Sequence, residues 1–114
     1  IMAPGKFIGM LFQSRDMMHL MHLKTESFAE HKALNAYYDG ILELTDTFTE
    51  SYFGYYGRVD ISIPQSTAAD AMSHLKSLAK TIDEERENYP VCLQNILDEM
   101  SGLVYKTLYL LTLT

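Results

Sequence analysis

Only two or three residues, around Thr25 and Glu26, separate one helical run of apolar residues from the next, and so short a connection forces the two helices antiparallel. The first run extends from about Lys6 to Lys24, with Phe7, Ile8, Leu11, Phe12, Met18 and Met21 recurring at helical spacing. The second is longer, from about Ser27 to Phe53, and its stripe is Leu34, Tyr37, Tyr38, Ile41, Leu44, Phe48 and Tyr52. Ser27 followed three residues later by Glu30 has the form of a capping box. A third run, from Thr67 as its N-cap to about Glu87, carries Ala68, Ala71, Met72, Leu75, Leu78, Ala79 and Ile82. The fourth opens at Pro90, a residue suited to a first helical turn. It continues through Leu93, Ile96, Leu97, Met100, Leu103, Val104 and Leu108 to the end of the chain, and Asn88 and Tyr89 make its junction with the third run equally tight.

The remaining connection, Gly54 to Ser66, is of another kind. Val59, Ile61 and Ile63 alternate there, the period of an extended segment with one face against the bundle. At ~3.3 Å per residue the segment reaches about 40 Å, comparable with the second helix at ~1.5 Å per residue. It is long enough to run the length of the bundle, so that the third helix starts beside the start of the second. The expected fold is all-α: two antiparallel hairpins joined by a long extended crossover, the ferritin-like four-helix topology. A chain of 114 residues, 47% of them hydrophobic, suffices for one core, so residues 6–114 are read as a single domain. Residues 1–5, where Ile1 precedes a methionine, are read as a cloning remnant or a disordered N-terminus.

Charge and motifs narrow the function. Net charge is −6 and the 9 Lys and Arg form no run, so the basic stripe of a nucleic-acid binder is missing. Cys92, the single cysteine, rules out an intrachain disulfide and fits a reducing cytoplasm. No apolar run reaches membrane-spanning length, and no secretory leader pattern is present. The expected location is the cytoplasm, that of the host if the gene is a phage's. No phosphate loop, zinc-protease motif or nucleophile elbow occurs.

The chemistry-bearing residues concentrate in the first hairpin. With His31 at zero on a helical projection, Asn35 falls at about 40°, Asp46 at about 60°, Asp39 at about 80°, Glu50 at about 100° and Glu43 at about 120°. The carboxylates therefore form one stripe with His31 at its edge. His19 and His22, three apart on the first helix, share a face. A turn near Thr25 would bring His22 and His31 toward a common point, and imidazole with carboxylate is a ligand set for iron, zinc or manganese. The same stripe is also what a solvated helix face looks like, with the histidine as a surface residue or cap. The eight tyrosines and seven methionines read most simply as core, His74 as a surface residue, and Cys92 as a packed small residue or, alternatively, a helix-start thiolate.

From His22-Leu-Lys-Thr-Glu-Ser-Phe-Ala-Glu-His31 to Asp46-Thr-Phe-Thr-Glu50, the sequence resembles Dps-like ferritins. There, one histidine ends the first helix, a second lies early in the next, and an Asp and a Glu four apart follow fifteen residues on, as Asp46 and Glu50 follow His31. The same stretch resembles small ferritin-like proteins of tailed bacteriophages whose function is generally unassigned. The resemblance covers Asp16 to Gly57. It implies an iron site between two subunits: His22 and His31 from one chain, Asp46 and Glu50 from its twofold mate, with His19, Asn35 and Glu43 as additional ligands. It further implies a homo-oligomer, at least a dimer and up to a dodecamer, with ferroxidase or iron-sequestering activity.

The sequence departs from the pattern in several places. Asn35 replaces an acidic residue, Leu23 replaces a tryptophan, and the segment between the histidines is three residues shorter. His19 keeps the family's twelve-residue spacing to His31. Without a basic N-terminal tail, direct DNA binding is not expected. The alternative expectation is a non-enzymatic phage interaction module that keeps the scaffold without the metal chemistry.

Overall fold

The computed structural model describes residues 1–113. Four helices form, and the described residues contain no strand: α1 (Pro4–Lys24), α2 (Phe28–Tyr56), α3 (Ala71–Glu85) and α4 (Val91–Leu110), with a single 3₁₀ turn, Arg86–Asn88, between α3 and α4. Pro4 opens α1, and the Ala3 carbonyl accepts from the Lys6 and Phe7 amides. Residues 4 and 5, read above as part of a cloning remnant or disordered N-terminus, thus form the first helical turn, and Gly5 is buried.

Between α1 and α2 the predicted capping box is only half made. Ser27 Oγ accepts from the Glu30 amide at 3.2 Å, but the Ser27 amide donates to Thr25 Oγ1 rather than to the Glu30 carboxylate. The second helix runs three residues past Phe53 and stops at Gly57, whose φ of 99° is accessible to glycine and costly for other residues. Asp70, not Thr67, caps α3: its carboxylate accepts from the Ser73 amide at 2.9 Å. An anionic cap also complements the helix dipole, as the neutral threonine does not.

Each helix packs on two others, in the cyclic order α1, α2, α4, α3. The core joins Phe7, Leu11, Tyr37, Ile41 and Phe48 of the first hairpin to Leu75 and Ile82 of α3 and to Leu93, Leu97 and Met100 of α4. Each such side chain contributes roughly 1.5–3 kcal/mol by burial. Phe7, Phe48 and Tyr89 pack ring on ring at its lower end, with centroids 5.3–5.9 Å apart.

The segment after Gly57 lies against α1 through its backbone. The Ser62 amide donates to the Gly5 carbonyl at 3.3 Å, and Gln13 Nε2 donates to the Gln65 carbonyl at 3.0 Å. Gly5 and Gly9, one turn apart, form the notch that receives it: a Cβ would lie 1.9 Å from the Asp60 oxygen at Gly5 and 1.7 Å from the Ser62 oxygen at Gly9. Backbone contact explains why the apolar alternation is misleading. Val59 packs against the core, but Ile61 and Ile63 are exposed, because the carbonyls at 60 and 62, rather than the isoleucines, fill the notch. The segment climbs α1 only as far as Gln13, so α3 starts beside the middle of α1, not beside the start of α2.

Candidate site at the end of the first hairpin

The tight turn brings His22 and His31 together, as their spacing suggests, but as a stack. Their ring centroids are 3.7 Å apart with planes inclined by 17°. His22 Nδ1 donates to the His31 carbonyl at 2.6 Å, and His31 Nδ1 donates to the His22 carbonyl at 2.8 Å. The His22 carbonyl, orphaned in the last turn of α1, thereby gains a donor, and the His31 carbonyl accepts the His22 ring in return, at a net gain of about 0.5–1.5 kcal/mol per bond. In the neutral rings this fixes the proton on Nδ1 and leaves Nε2 as the lone-pair nitrogen.

The stack extends both ways. Phe28, exposed at the start of α2, lies over His31 at 6.5 Å. His22 meets the edge of Tyr38 at 5.2 Å, and His19 stacks on Tyr38 at 4.2 Å and 18°. The Arg15 guanidinium stands 5.7 Å from the same ring and pairs with Asp16 at 3.1 Å. Tyr38, counted above only as core, is the hub of this cluster. Its position seven residues after His31, hence on nearly the same helix face, was the available signal.

The other expected ligands lie elsewhere. Fifteen helical residues put Asp46 about 22 Å from His31 along α2, and Glu50 lies a further turn away. Asp39, Glu43, Asp46 and Glu50 are all exposed. Asn35 is engaged locally: its Oδ1 accepts from the Tyr38 hydroxyl at 2.7 Å and its Nδ2 donates to Asp39 at 3.3 Å. Among the described residues no three His, Cys, Asp or Glu side chains group closely enough to hold a metal ion.

Two further sequence readings are corrected. His74 is not a surface residue: its Nε2 lies 2.8 Å from Ser14 Oγ, which in turn lies 2.7 Å from the Tyr37 hydroxyl. Tyr37 is fully buried and Ser14 is its hydrogen-bond partner, so its hydroxyl donates to Ser14 and Ser14 donates to His74. Burial pushes the Tyr37 phenol well above and the His74 imidazole below their ordinary pKa values. Cys92 is exposed at the start of α4 rather than packed. No described helix is long and apolar enough to cross a membrane.

The fold and site define a small four-helix protein whose histidines close a hairpin. Residues 22–111 match the family described as "Family of unknown function (DUF5856)", and the chain belongs to that family. It is 30% identical over 112 residues, 95% of this chain and 87% of the other, to an uncharacterized 14.6 kDa protein in the mobD-ri intergenic region of Enterobacteria phage T4. No solved structure matches it.

Proposed function

We propose that this protein is a non-enzymatic interaction module of phage infection, built on a ferritin-like scaffold and working without metal chemistry. The observation that carries this reading is the His22–His31 stack. Rings with centroids 3.7 Å apart and planes inclined by only 17° are nearly parallel, whereas an ion must sit about 2.0–2.2 Å from each nitrogen and close to each ring plane. That geometry argues against the pair chelating one ion without a change of rotamer. Its hydrogen bonds and ring contacts instead rigidify the hairpin. The cyclic helix order and the segment climbing α1 support the ferritin-like arrangement, with α2 and α3 descending in parallel across a diagonal. The relative in phage T4 supports the phage setting.

The experiment is metal analysis of tag-free protein followed by ferrous titration, with mass in solution measured alongside. The module predicts no stoichiometric iron, zinc or manganese, and no oxidation of ferrous iron by peroxide beyond the buffer rate.

One observation favours a second reading, an intersubunit iron site. Anchoring Nδ1–H on a carbonyl is how metal-binding histidines are commonly oriented, and it leaves Nε2 available. In that reading His31, with His22 or His19, faces Asp46 and Glu50 of a second copy, with Asn35 and Glu43 as additional ligands. About one or more metal ions per dimer, lost in His31→Ala, would establish it. A twelve-subunit shell would point further to iron storage.

A further inference from the structure

At the opposite end of the bundle, where α2 stops and α3 turns into α4, a cleft of about 210 Å³ opens among Ile1, Met2, Pro4, Tyr52, Tyr56, Asn88 and Tyr89. Tyr52 and Tyr89 meet at 6.2 Å with their rings 74° apart, forming a corner, and Tyr56 packs beside Tyr52 at 4.8 Å. The Tyr37 and Tyr38 hydroxyls bond Ser14 and Asn35, whereas those of Tyr52, Tyr56 and Tyr89 have no partner among the described residues.

Glu85 lies behind the cleft wall, bonded to the lining residues Met2 and Asn88, and is 7% exposed. Its Oε1 accepts from the Met2 amide at 3.1 Å and its Oε2 from Asn88 Nδ2 at 2.9 Å. Both donors are neutral. Among the described residues the ion pairs are Arg15–Asp16 and Arg86–Asp98, so the Glu85 charge meets no cation. A buried carboxylate without a counter-charge is costly, and a cation delivered to the cleft would relieve that cost.

We propose that this cleft binds an organic ammonium group, received by the rings of Tyr52, Tyr56 and Tyr89 and by the charge of Glu85. Aromatic faces carry negative potential and favour weakly hydrated cations. A metal ion fits less well. Both Glu85 oxygens already accept hydrogen bonds, and burial together with the neighbouring carboxylate keeps the Tyr89 phenol protonated. The ammonium comes either from a small quaternary amine or from a lysine side chain of a protein.

The test is a titration of the full chain followed by tyrosine ring resonances in NMR. The probes are choline, its uncharged isostere 3,3-dimethyl-1-butanol, and Nα-acetyl-lysine amide. A saturable shift at Tyr52, Tyr56 and Tyr89 with either ammonium, about 10-fold weaker with the neutral alcohol, is the expected result. Preference for choline or for the lysine derivative then tells which source applies. Tyr56→Leu, at an exposed position, and Glu85→Gln are each expected to weaken binding by about 10-fold. Should Glu85→Gln fail to fold, Tyr56→Leu alone decides. No saturation below roughly 100 mM with either ammonium would overturn the proposal. An equal response to the uncharged alcohol, or unchanged binding by Tyr56→Leu, would overturn it as well.

Discussion

At the upper end of the bundle His22 and His31 donate to each other's carbonyls, and every donor in the exchange meets an acceptor without any net charge being buried. At the lower end Glu85 is equally well hydrogen-bonded, yet its donors, the Met2 amide and the Asn88 side chain, are neutral. Hydrogen-bond satisfaction and charge compensation are separate conditions; the His22–His31 exchange meets both, whereas Glu85 meets only the first. An arrangement complete in itself reads as structure, whereas one that buries a charge behind the wall of a cleft leaves something for a ligand to supply.

The largest effect is expected where the backbone itself is the packing surface. In Gly9→Ala the new methyl would lie 1.7 Å from the Ser62 oxygen, and a backbone carbonyl cannot rotate away as a side chain can. The segment must lift off α1, at an expected cost of about 3 kcal/mol or more in denaturant unfolding. Faster amide exchange at Ser62 would accompany it. A cost below about 1 kcal/mol would mean that the segment is not held in the notch.

A direct break of the comparison between the ends comes next. His31→Ala removes the Nδ1 donor to the His22 carbonyl and the ring stacked on His22, while the backbone carbonyl of residue 31 still accepts from His22, for an expected loss of about 1–3 kcal/mol. Glu85→Gln weakens one hydrogen bond but removes an uncompensated charge, so its expected change is within about 1 kcal/mol of zero. Thermal melting of the two variants side by side checks the ordering. If Glu85→Gln is the more damaging, the lower end has a counter-charge that the ion pairs above do not include.

Much of this was legible in the sequence, for reasons that can be named. Leu34, Ile41, Phe48, Leu93 and Leu97 lie inside because 3.6-residue periodicity is a strong, local signal, and tight turns fix which helices pair. The meeting of His22 with His31 also followed from the turn, but its stacked form did not. That depends on which nitrogen reaches which carbonyl, and spacing carries no such information. The glycine notch was hidden because its partner is backbone more than fifty residues away, and because Gly5 stood in a stretch read as a cloning remnant or disordered N-terminus. His74 looked solitary since Ser14, its partner, is sixty residues distant and carries no charge.

Acidification is expected to act through that same His74. Its folded-state pKa is lowered by burial, so below the ordinary histidine value of about 6.5 the unfolded chain binds the proton more readily than the folded one. The His74 contribution is thus fully present above that value and is lost as pH falls toward the folded pKa. Protonation also reverses the hydrogen-bond chain: Nε2 must donate, Ser14 must turn to Tyr37, and the buried Tyr37 hydroxyl loses its acceptor. Comparing melting temperatures at pH 7.5 and 5.5 in the natural chain and in His74→Asn isolates this contribution from the other histidines. Equal pH dependence in both would show that His74 does not titrate with folding.

The smallest effect tests the notch by its counterpart. Gly54 lies within α2 near its end and is exposed, and a Cβ there would meet nothing within 4 Å. Glycine inside a helix costs about 0.5–1 kcal/mol relative to alanine, since the unfolded chain has more freedom to lose. Gly54→Ala should therefore raise stability by about that amount, less whatever fraying the helix end already shows. The same substitution thus carries opposite signs at positions 54 and 9. Since the gain in helix propensity is similar at both, the difference between the two measured changes is the cost of separating Ser62 from α1. A small difference would place the segment away from the helix, however well the rest of the bundle is packed.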